Sequence, residues 1–332
     1  MLEAVCKDRL LLLVFYTPDN ASVEIHMYRV TAIFTISLGA FFLIGAGVIL
    51  APTVSIQTKE KTVKVLFVGD LMFDRTVRQV AEEKGNDFIF SCLKETLDEH
   101  DLVVANLEGP ITTFDSVSVG STPGGEGNYT FTFPESLAGT LAKHGIKAVS
   151  LGNNHSLNFG AEGIIQTKEF LNKAGVAFFG NPLDAENTSV TSDINEVPLT
   201  LISFNEFGLG GSTTEDTLEA IKGAESFNVV FAHWGNEYTP TSVERQRDWA
   251  HKFIDAGADL VIGAHPHVVQ ENEVYKGVKI YYSLGNFVMD QYWEEAVRNG
   301  LALSIEMSPK GIKSIKEIPL TLGRDRRTCV SI

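Results

Sequence analysis

His265 and His267 flank a proline directly after the apolar run Asp259-Leu-Val-Ile. A strand that feeds a polar turn presents side chains at a sheet edge. Two imidazoles there could hold a metal, hold an anion or simply sit in a polar loop. Other apolar runs end in similar chemistry: Gly69-Asp70, Asn106-Leu107-Glu108, Gly152-Asn153-Asn154-His155 and His233-Trp234-Gly235. Singly, each has a plain structural reading. Gly-Asp and Asn-Asn are turn residues, His233 is a hydrogen-bonded loop histidine, and Glu108 is a solvated carboxylate. Jointly, strand ends that all carry Asp, Glu, Asn or His point to one site. Mixed imidazole and carboxylate ligation suits one or two divalent first-row ions, Zn, Mn or Fe. Two ions about 3.5–4 Å apart could share a carboxylate. Water bound to them becomes a nucleophile near neutral pH.

The elements that must position these residues alternate. Lys64–Asp70, Asp101–Gly109, Ala148–Asn154, Leu199–Asn205, Asn228–Gly235, Asp259–His265 and Val278–Asn286 read as strands buried on both faces, being short apolar runs bounded by turn signals. Helices are expected near Arg75–Lys84, Glu135–His144, Glu162–Lys173 and Ser242–Ala256. Pro110–Phe133, rich in Gly, Ser and Thr, is a long loop and a candidate lid or binding loop. The pattern is α/β, one domain, with the site built from strand ends.

Val30–Leu50 carries no charged residue and is long enough to span a bilayer core of roughly 30 Å. It reads as an uncleaved signal-anchor. Arg29 precedes it and most of the chain follows it, so the positive-inside rule puts residues 1–29 in the cytoplasm and the main domain outside, with 51–62 as a tether and 63–332 as the domain. The expected location is the cell membrane, single-pass. Met27 would make a more ordinary start than Met1. The net charge of −15 argues against nucleic acid as a partner. Cys6, Cys92 and Cys329 are far apart and form no Cys-x-x-Cys pair, so neither a zinc ribbon nor a disulfide scaffold is indicated.

GDLMFDR, ANLEGPIT, LGNNHSLNFG, AHWGNEY, GAHPHVVQ and YSLGNFVMD, in this order, resemble the motifs of the poly-γ-glutamate capsule biosynthesis protein family (CapA/PgsA-like), which is similar to the calcineurin-like metallophosphoesterases. The resemblance runs from about Val63 to Asp290. It implies a four-layer α/β/β/α sandwich of the metallophosphoesterase type behind the transmembrane helix. It further implies that Asp70, Glu108, Asn154, His233, His265 and His267 bind metal, with Glu108 bridging and each histidine of His-Pro-His serving one ion. His155 would protonate a leaving group or hold the transferred oxyanion. The sequence departs from the pattern at Met72, where a ligand histidine is expected, and at Asn158, where the family usually carries Asp.

Trp234, Glu237 and Tyr238 are expected to frame the site, and Asn106 lies on a ligand-bearing strand end. Asn286 either hydrogen-bonds at the site's edge or is a structural turn residue. Gln270 and Glu271 are further candidates. Arg75 either meets an anionic substrate or starts a helix and pairs with a neighbouring carboxylate. Two functions follow. One is a membrane-anchored hydrolase or transferase, in which a metal-activated hydroxide attacks a phosphoryl or acyl centre of an anionic polymer. The other is a non-catalytic accessory that guides such a polymer beside membrane-bound synthase or export subunits.

Overall fold

The computed structural model describes residues 3–7, 10–16, 23–29 and 61–331, except 124, 126, 127, 209, 210 and 225. The expected transmembrane segment 30–50 and most of the tether 51–62 lie outside the described residues. Among those described, no helix is long and apolar enough to cross a membrane. The chain divides into two compact units, Met1–Glu60 and Lys61–Ile332. In the first, β1 (Glu3–Lys7), β2 (Leu10–Tyr16) and β3 (Val23–Arg29) form an antiparallel sheet in that order.

The second unit is a mixed α/β fold with two sheets. In chain order it runs β4 (Val63–Leu71), α1 (Arg75–Lys84), α2 (Asn86–Phe90), α3 (Lys94–Asp98), β5 (Leu102–Leu107), α4 (Ser136–Lys143), β6 (Ile146–Ser150), α5 (Gly160–Ala174), β7 (Ala177–Phe179), β8 (Ser189–Ile194) and β9 (Val197–Asn205). It continues through α6 (Thr214–Gly223), β10 (Phe227–His233), α7 (Glu244–Ala256), β11 (Leu260–Ala264), β12 (Asn272–Tyr275), β13 (Val278–Tyr281), β14 (Asn286–Val288), β15 (Asn299–Ser308), β16 (Gly311–Leu322) and β17 (Thr328–Val330). One sheet has the order β17-β16-β15-β4-β5-β6-β7, with β14 also paired to β4. The other has the order β12-β13-β11-β10-β9-β8.

Strand alternation divides the core into layers. Val63, Val65 and Phe67 of β4 pack with Leu199 and Leu201 of β9, Phe231 of β10 and Ile262 of β11 in a cluster drawn from both sheets. The intervening Leu66 and Val68 join Val77 of α1, Leu141 of α4 and Leu171 of α5 in a second cluster. Val230 and Val261 join Ile221 of α6 and Phe253 of α7 in a third. Each sheet is therefore covered by helices on the face turned away from the other sheet, which is why its strands read as continuous apolar runs.

The expected strand Val278–Asn286 is two strands. β13 runs parallel to β11 in one sheet, whereas β14 runs parallel to β4 in the other. The chain crosses between the sheets at Tyr282–Gly285, beside Gly69. The amide of Asp70 donates to Gly285 O at 3.1 Å, and a Cβ on Gly69 would lie 1.8 Å from that oxygen, so only glycine fits there. The spacing of the cysteines indicates no disulfide scaffold, yet one disulfide is present. Cys92, beyond α2, is bonded to Cys329 of β17, their Cα atoms 4.9 Å apart and 237 residues apart in sequence.

Loop 110–133 has no helix or strand of its own among the described residues. Its ends are zipped by Thr112 N donating to Phe133 O at 3.0 Å and Phe133 N donating to Pro110 O at 2.8 Å. Asp74, the N-cap of α1, accepts from Ser116 Oγ at 2.6 Å and Thr132 N at 2.9 Å. Burial raises the Asp74 pKa, against the lowering effect of these bonds.

Candidate metal centre

The strand ends converge. β4 delivers Asp70, β5 delivers Asn106 and, just past its end, Glu108, the turn after β6 delivers Asn153 to His155, β10 ends in His233, and the turn after β11 carries His265 and His267. Among the described residues, two groups of three side chains each bring one ligand atom per residue within 4.8 Å of one another. One is Glu108, His233 and His265; the other is Asp70, Glu108 and His267. Glu108 belongs to both, and each histidine of the His-Pro-His turn serves one group.

His265 and His267 hold left-handed backbones, with φ of 95° and 58°, on either side of Pro266. Such conformations cost about 1–3 kcal/mol each and persist only where surrounding structure enforces them. Here the result is that both imidazoles turn into the cluster. The His265 ring packs against Phe207 at 4.3 Å and His233 at 4.7 Å between centroids.

Hydrogen bonds orient most of these side chains. Asp70 Oδ1 accepts from Asn106 Nδ2 at 2.7 Å, and Oδ2 accepts from His265 N at 3.1 Å. Asn106 Oδ1 accepts in turn from Asn153 Nδ2 at 3.0 Å. His233 Nδ1 lies 3.3 Å from Asn106 Nδ2, and His233 Nε2 lies 2.9 Å from Asn154 Oδ1. His267 Nδ1 donates to Asn286 Oδ1 at 2.9 Å, leaving Nε2 facing Glu108 Oε1 at 3.6 Å. The exceptions decide the chemistry. Both oxygens of Glu108, and His265 Nδ1, are buried without a hydrogen-bond partner. Native interiors rarely leave such atoms orphaned, because each costs about 1–3 kcal/mol. A cation among Glu108, His265 and their neighbours would satisfy all three, so the donor set fits metal.

Burial, followed by the Asp70 carboxylate, pushes Glu108 well above the usual carboxylate range. Burial alone would lower His267, but the charges of Glu108 and Asp70 outweigh it and raise the imidazole to about 9. Burial, with His267 beside it, lowers His265 to about 3 and holds His233 well below its ordinary value. The His265 and His233 rings are therefore neutral and able to ligate.

His155 sits to one side, its ring 4.5 Å from that of Phe131. Burial lowers it to about 4. Asn158 Oδ1 accepts from Phe131 N at 2.7 Å, which identifies it as the amide oxygen, so the His155 nitrogen at 3.1 Å from it, Nδ1, carries the proton. Nε2 is then the acceptor.

Arg75 meets the expectation of a helix-start residue paired with a carboxylate. It begins α1, pairs with Asp290 at 2.6 Å with both side chains buried, and lines a pocket with Glu108, His155, Glu237, Tyr238 and His267. Tyr129 and Phe131 of the long loop close the same pocket, whose free space is about 10 Å³, close to one water. Asn286 is fully buried at the centre of a network with His267, Gln291 and Val297.

Two expectations are corrected, that for Trp234 and that for Gln270 and Glu271. Trp234 does not frame the site; it is buried among Phe204, Phe253 and Tyr282 on the helix-covered face, its indole donating to Tyr282 O at 2.9 Å. Gln270 donates to Thr239 O, and Glu271 accepts from Ser242 N, so both anchor the turn before α7. Met72 is buried in the helix-side core, where its sulfur accepts from Asp74 N at 3.0 Å. Phe207, Tyr129, Met289 and Gln291 were not singled out from sequence, and no local pattern marks them.

The family model described as "Bacterial capsule synthesis protein PGA_cap" matches residues 64–291. The chain is 29% identical over 277 residues to the capsule biosynthesis protein CapA of Bacillus anthracis, covering 77% of this chain and 66% of the relative. It is 29% identical over 319 residues to the PGA biosynthesis protein CapA of Bacillus subtilis (strain 168), covering 90% of this chain and 80% of the relative. A crystal structure of TT1561 of Thermus thermophilus superimposes with a TM-score of 0.44 at 9% identity, covering 77% of this chain and 98% of that one.

Proposed function

The chain belongs to the bacterial capsule synthesis protein family PGA_cap, and from that premise we propose that it is a membrane-anchored, metal-dependent hydrolase or transferase acting on an anionic surface polymer of the poly-γ-glutamate type. The observation that carries this reading is Glu108: a buried carboxylate with two orphaned oxygens, shared by two groups of ligands. Asp70, Glu108 and His267 would hold one ion. Glu108, His233 and His265, with Asn154 beside them, would hold the other. The fold is then the α/β/β/α sandwich of the metallophosphoesterase type.

When bound, Mn, Fe or Zn supplies Lewis-acid charge and a nucleophile at neutral pH for attack on a phosphoryl or acyl centre. The chain's residues do the rest. Asn286 holds His267 with Nδ1 protonated, so that Nε2 can ligate. Asn106 and Asn153 brace Asp70. His155, its Nδ1–H bonded to Asn158, accepts a proton at Nε2 and returns it to the leaving group. Tyr129, Phe131 and Tyr238 narrow the pocket and exclude bulk water. Arg75, balanced by Asp290, faces the anionic substrate from the same wall.

The working location is the outer face of the cell membrane. The apolar run 30–50 supports a single-pass anchor with residues 1–29 inside, 51–62 as tether and 63–332 as the working domain. The Cys92–Cys329 bond suits an oxidising compartment. The partners are membrane-bound synthase or export subunits and the polymer itself; nucleic acid is not one.

Metal analysis of the full-length chain beside a His265→Ala/His267→Ala variant tests this. Two first-row ions per chain, lost in the variant, are expected; no ion after reconstitution would sink the reading. A second reading, a non-catalytic accessory that guides the polymer, is favoured by Met72, which adds no ligand, and by Asn158, which cannot stabilise an imidazolium by charge. His155→Ala separates them. Polymer processing lost with metal retained marks an enzyme, and processing unchanged marks the accessory.

A further inference from the structure

Beside the metal centre runs a groove that the chemistry described so far does not use. Its near lobe, of about 290 Å³, is lined by Thr76, Asp290, Tyr292, Trp293, Arg324 and Arg326. A far lobe of about 330 Å³ shares Tyr292, Trp293 and Arg324, and adds Arg298 with Glu294 and Glu295. Residues 289–293 form the wall between groove and metal pocket. Met289 and Gln291 line the pocket, while Asp290 and Tyr292 line the groove. Trp293, 52% exposed, meets the ring of Tyr238 edge-on at 5.2 Å, and Tyr238 stacks over His267 at 5.9 Å.

The near lobe's charge is unusual for this chain, which carries 42 acidic residues against 27 Lys and Arg. Among the described residues the near lobe's only lining carboxylate is Asp290, already bonded to Arg75 and Thr76. Asp325, in the same turn as the two arginines, is bonded to Arg327. Among the described residues Arg326 is held without a carboxylate: Nε donates to Thr76 Oγ1 at 2.8 Å and the guanidinium lies 4.9 Å from the Tyr292 ring centre. Arg324 is exposed, its guanidinium 5.9 Å from the same ring centre. The turn is strained to present them, since Arg326 has a left-handed φ of 74°. Two guanidiniums set against one ring, with no carboxylate partner among the described residues, match a ligand that carries carboxylates of its own, which Arg binds in a bidentate fork.

We propose that this groove is a second, metal-independent binding site for a chain bearing repeated carboxylates, with Arg324 and Arg326 taking successive carboxylates and Trp293 marking the passage to the metal pocket. The choice of a polycarboxylate rests on the capsule-polymer reading above; the existence of an anion site does not.

The test uses the full-length protein in detergent, stripped with EDTA, and a fluorescent deca-γ-glutamate followed by anisotropy. The stripped protein is expected to bind, with affinity falling as salt rises. Arg324→Glu should weaken binding at least tenfold and Arg324→Lys far less, with melting temperatures unchanged at this exposed position. Equal binding by Arg324→Glu and wild type would overturn the proposal. So would binding only by metal-loaded protein, because the ligand would then sit on the ions, and so would tighter binding of polyphosphate of equal charge. If His155→Ala loses no polymer processing while the Arg324 effect stands, the catalytic reading fails and the groove survives.

Discussion

Asn286 Oδ1 accepts the Nδ1 proton of His267 at 2.9 Å, while Asn286 Nδ2 donates to His267 O, Gln291 Oε1 and Val297 O. Three acceptors around the amide nitrogen fix which end of the amide is oxygen, and that in turn fixes the imidazole's tautomer. Asn286→Ala should therefore weaken metal binding about 10–100-fold, as loss of an orienting partner typically does. It should also lower the melting temperature, since buried acceptors lose their donor. Metal titration of the variant checks the first effect and calorimetry the second. Unchanged affinity would mean that His267 is not a ligand.

Met72 stands where the family pattern leads one to expect an imidazole, yet its side chain lies in the helix-side core. Met72→His should not add a ligand. It should bury a polar ring and destabilise the fold by about 1–3 kcal/mol. Elemental analysis and denaturant melts decide this, and a variant with more metal per chain than wild type would contradict the position of Met72.

Cys92 and Cys329 close a loop of most of the domain. Peptide mapping without reduction should recover them in one cross-linked peptide. Cys92→Ser/Cys329→Ser should lose about 2–4 kcal/mol of stability, chiefly through a less restricted unfolded chain.

His100 donates from Nδ1 to Thr96 O and accepts at Nε2 from Ser304 Oγ, both at 2.7 Å, tying the turn before β5 to β15. Burial lowers its pKa; the Lys64 charge adds to this, while Glu99 and Asp101 oppose it. The folded state thus resists a proton that the unfolded chain accepts. This contribution is full above about pH 6.5 and is lost as pH falls below it, toward the folded value. The drop in melting temperature between pH 7.5 and pH 5.5 should be smaller in His100→Gln than in wild type. An equal drop would show that His100 titrates normally.

What sequence could reveal followed from local pattern. α1 could be read over Arg75–Lys84 because Asp74 precedes an amphipathic run and Gly85 ends it. The clustered Asp, Glu, Asn and His residues could be read because each ends or closely follows an apolar strand. Trp234 misled for the same reason: it neighbours His233, but adjacent residues on an extended chain point to opposite faces. The β15–β16 hairpin escaped notice because Ile312, Ile315 and Ile318 recur every third residue and a register shift breaks the alternation near Glu306. The crossing at Tyr282–Gly285 was hidden because Val278–Asn286 reads as one apolar run, and its division depends on which sheet each half joins. The pairing of Cys92 with Cys329 has no local signal at all; only the closed fold brings them together.

The crossing also bears on how the centre behaves mechanically. Glu108 and Asp70 come from one sheet, whereas His233, His265 and His267 come from the other. An ion held by either group would rivet the two sheets across their rim, at the end where the Asp70 amide already bonds Gly285 O beside Gly69. Loaded protein should resist shear between the sheets, and the stripped protein should open first along this seam. Hydrogen exchange would then report metal loading at β4 and β11 amides well before any gross change in shape.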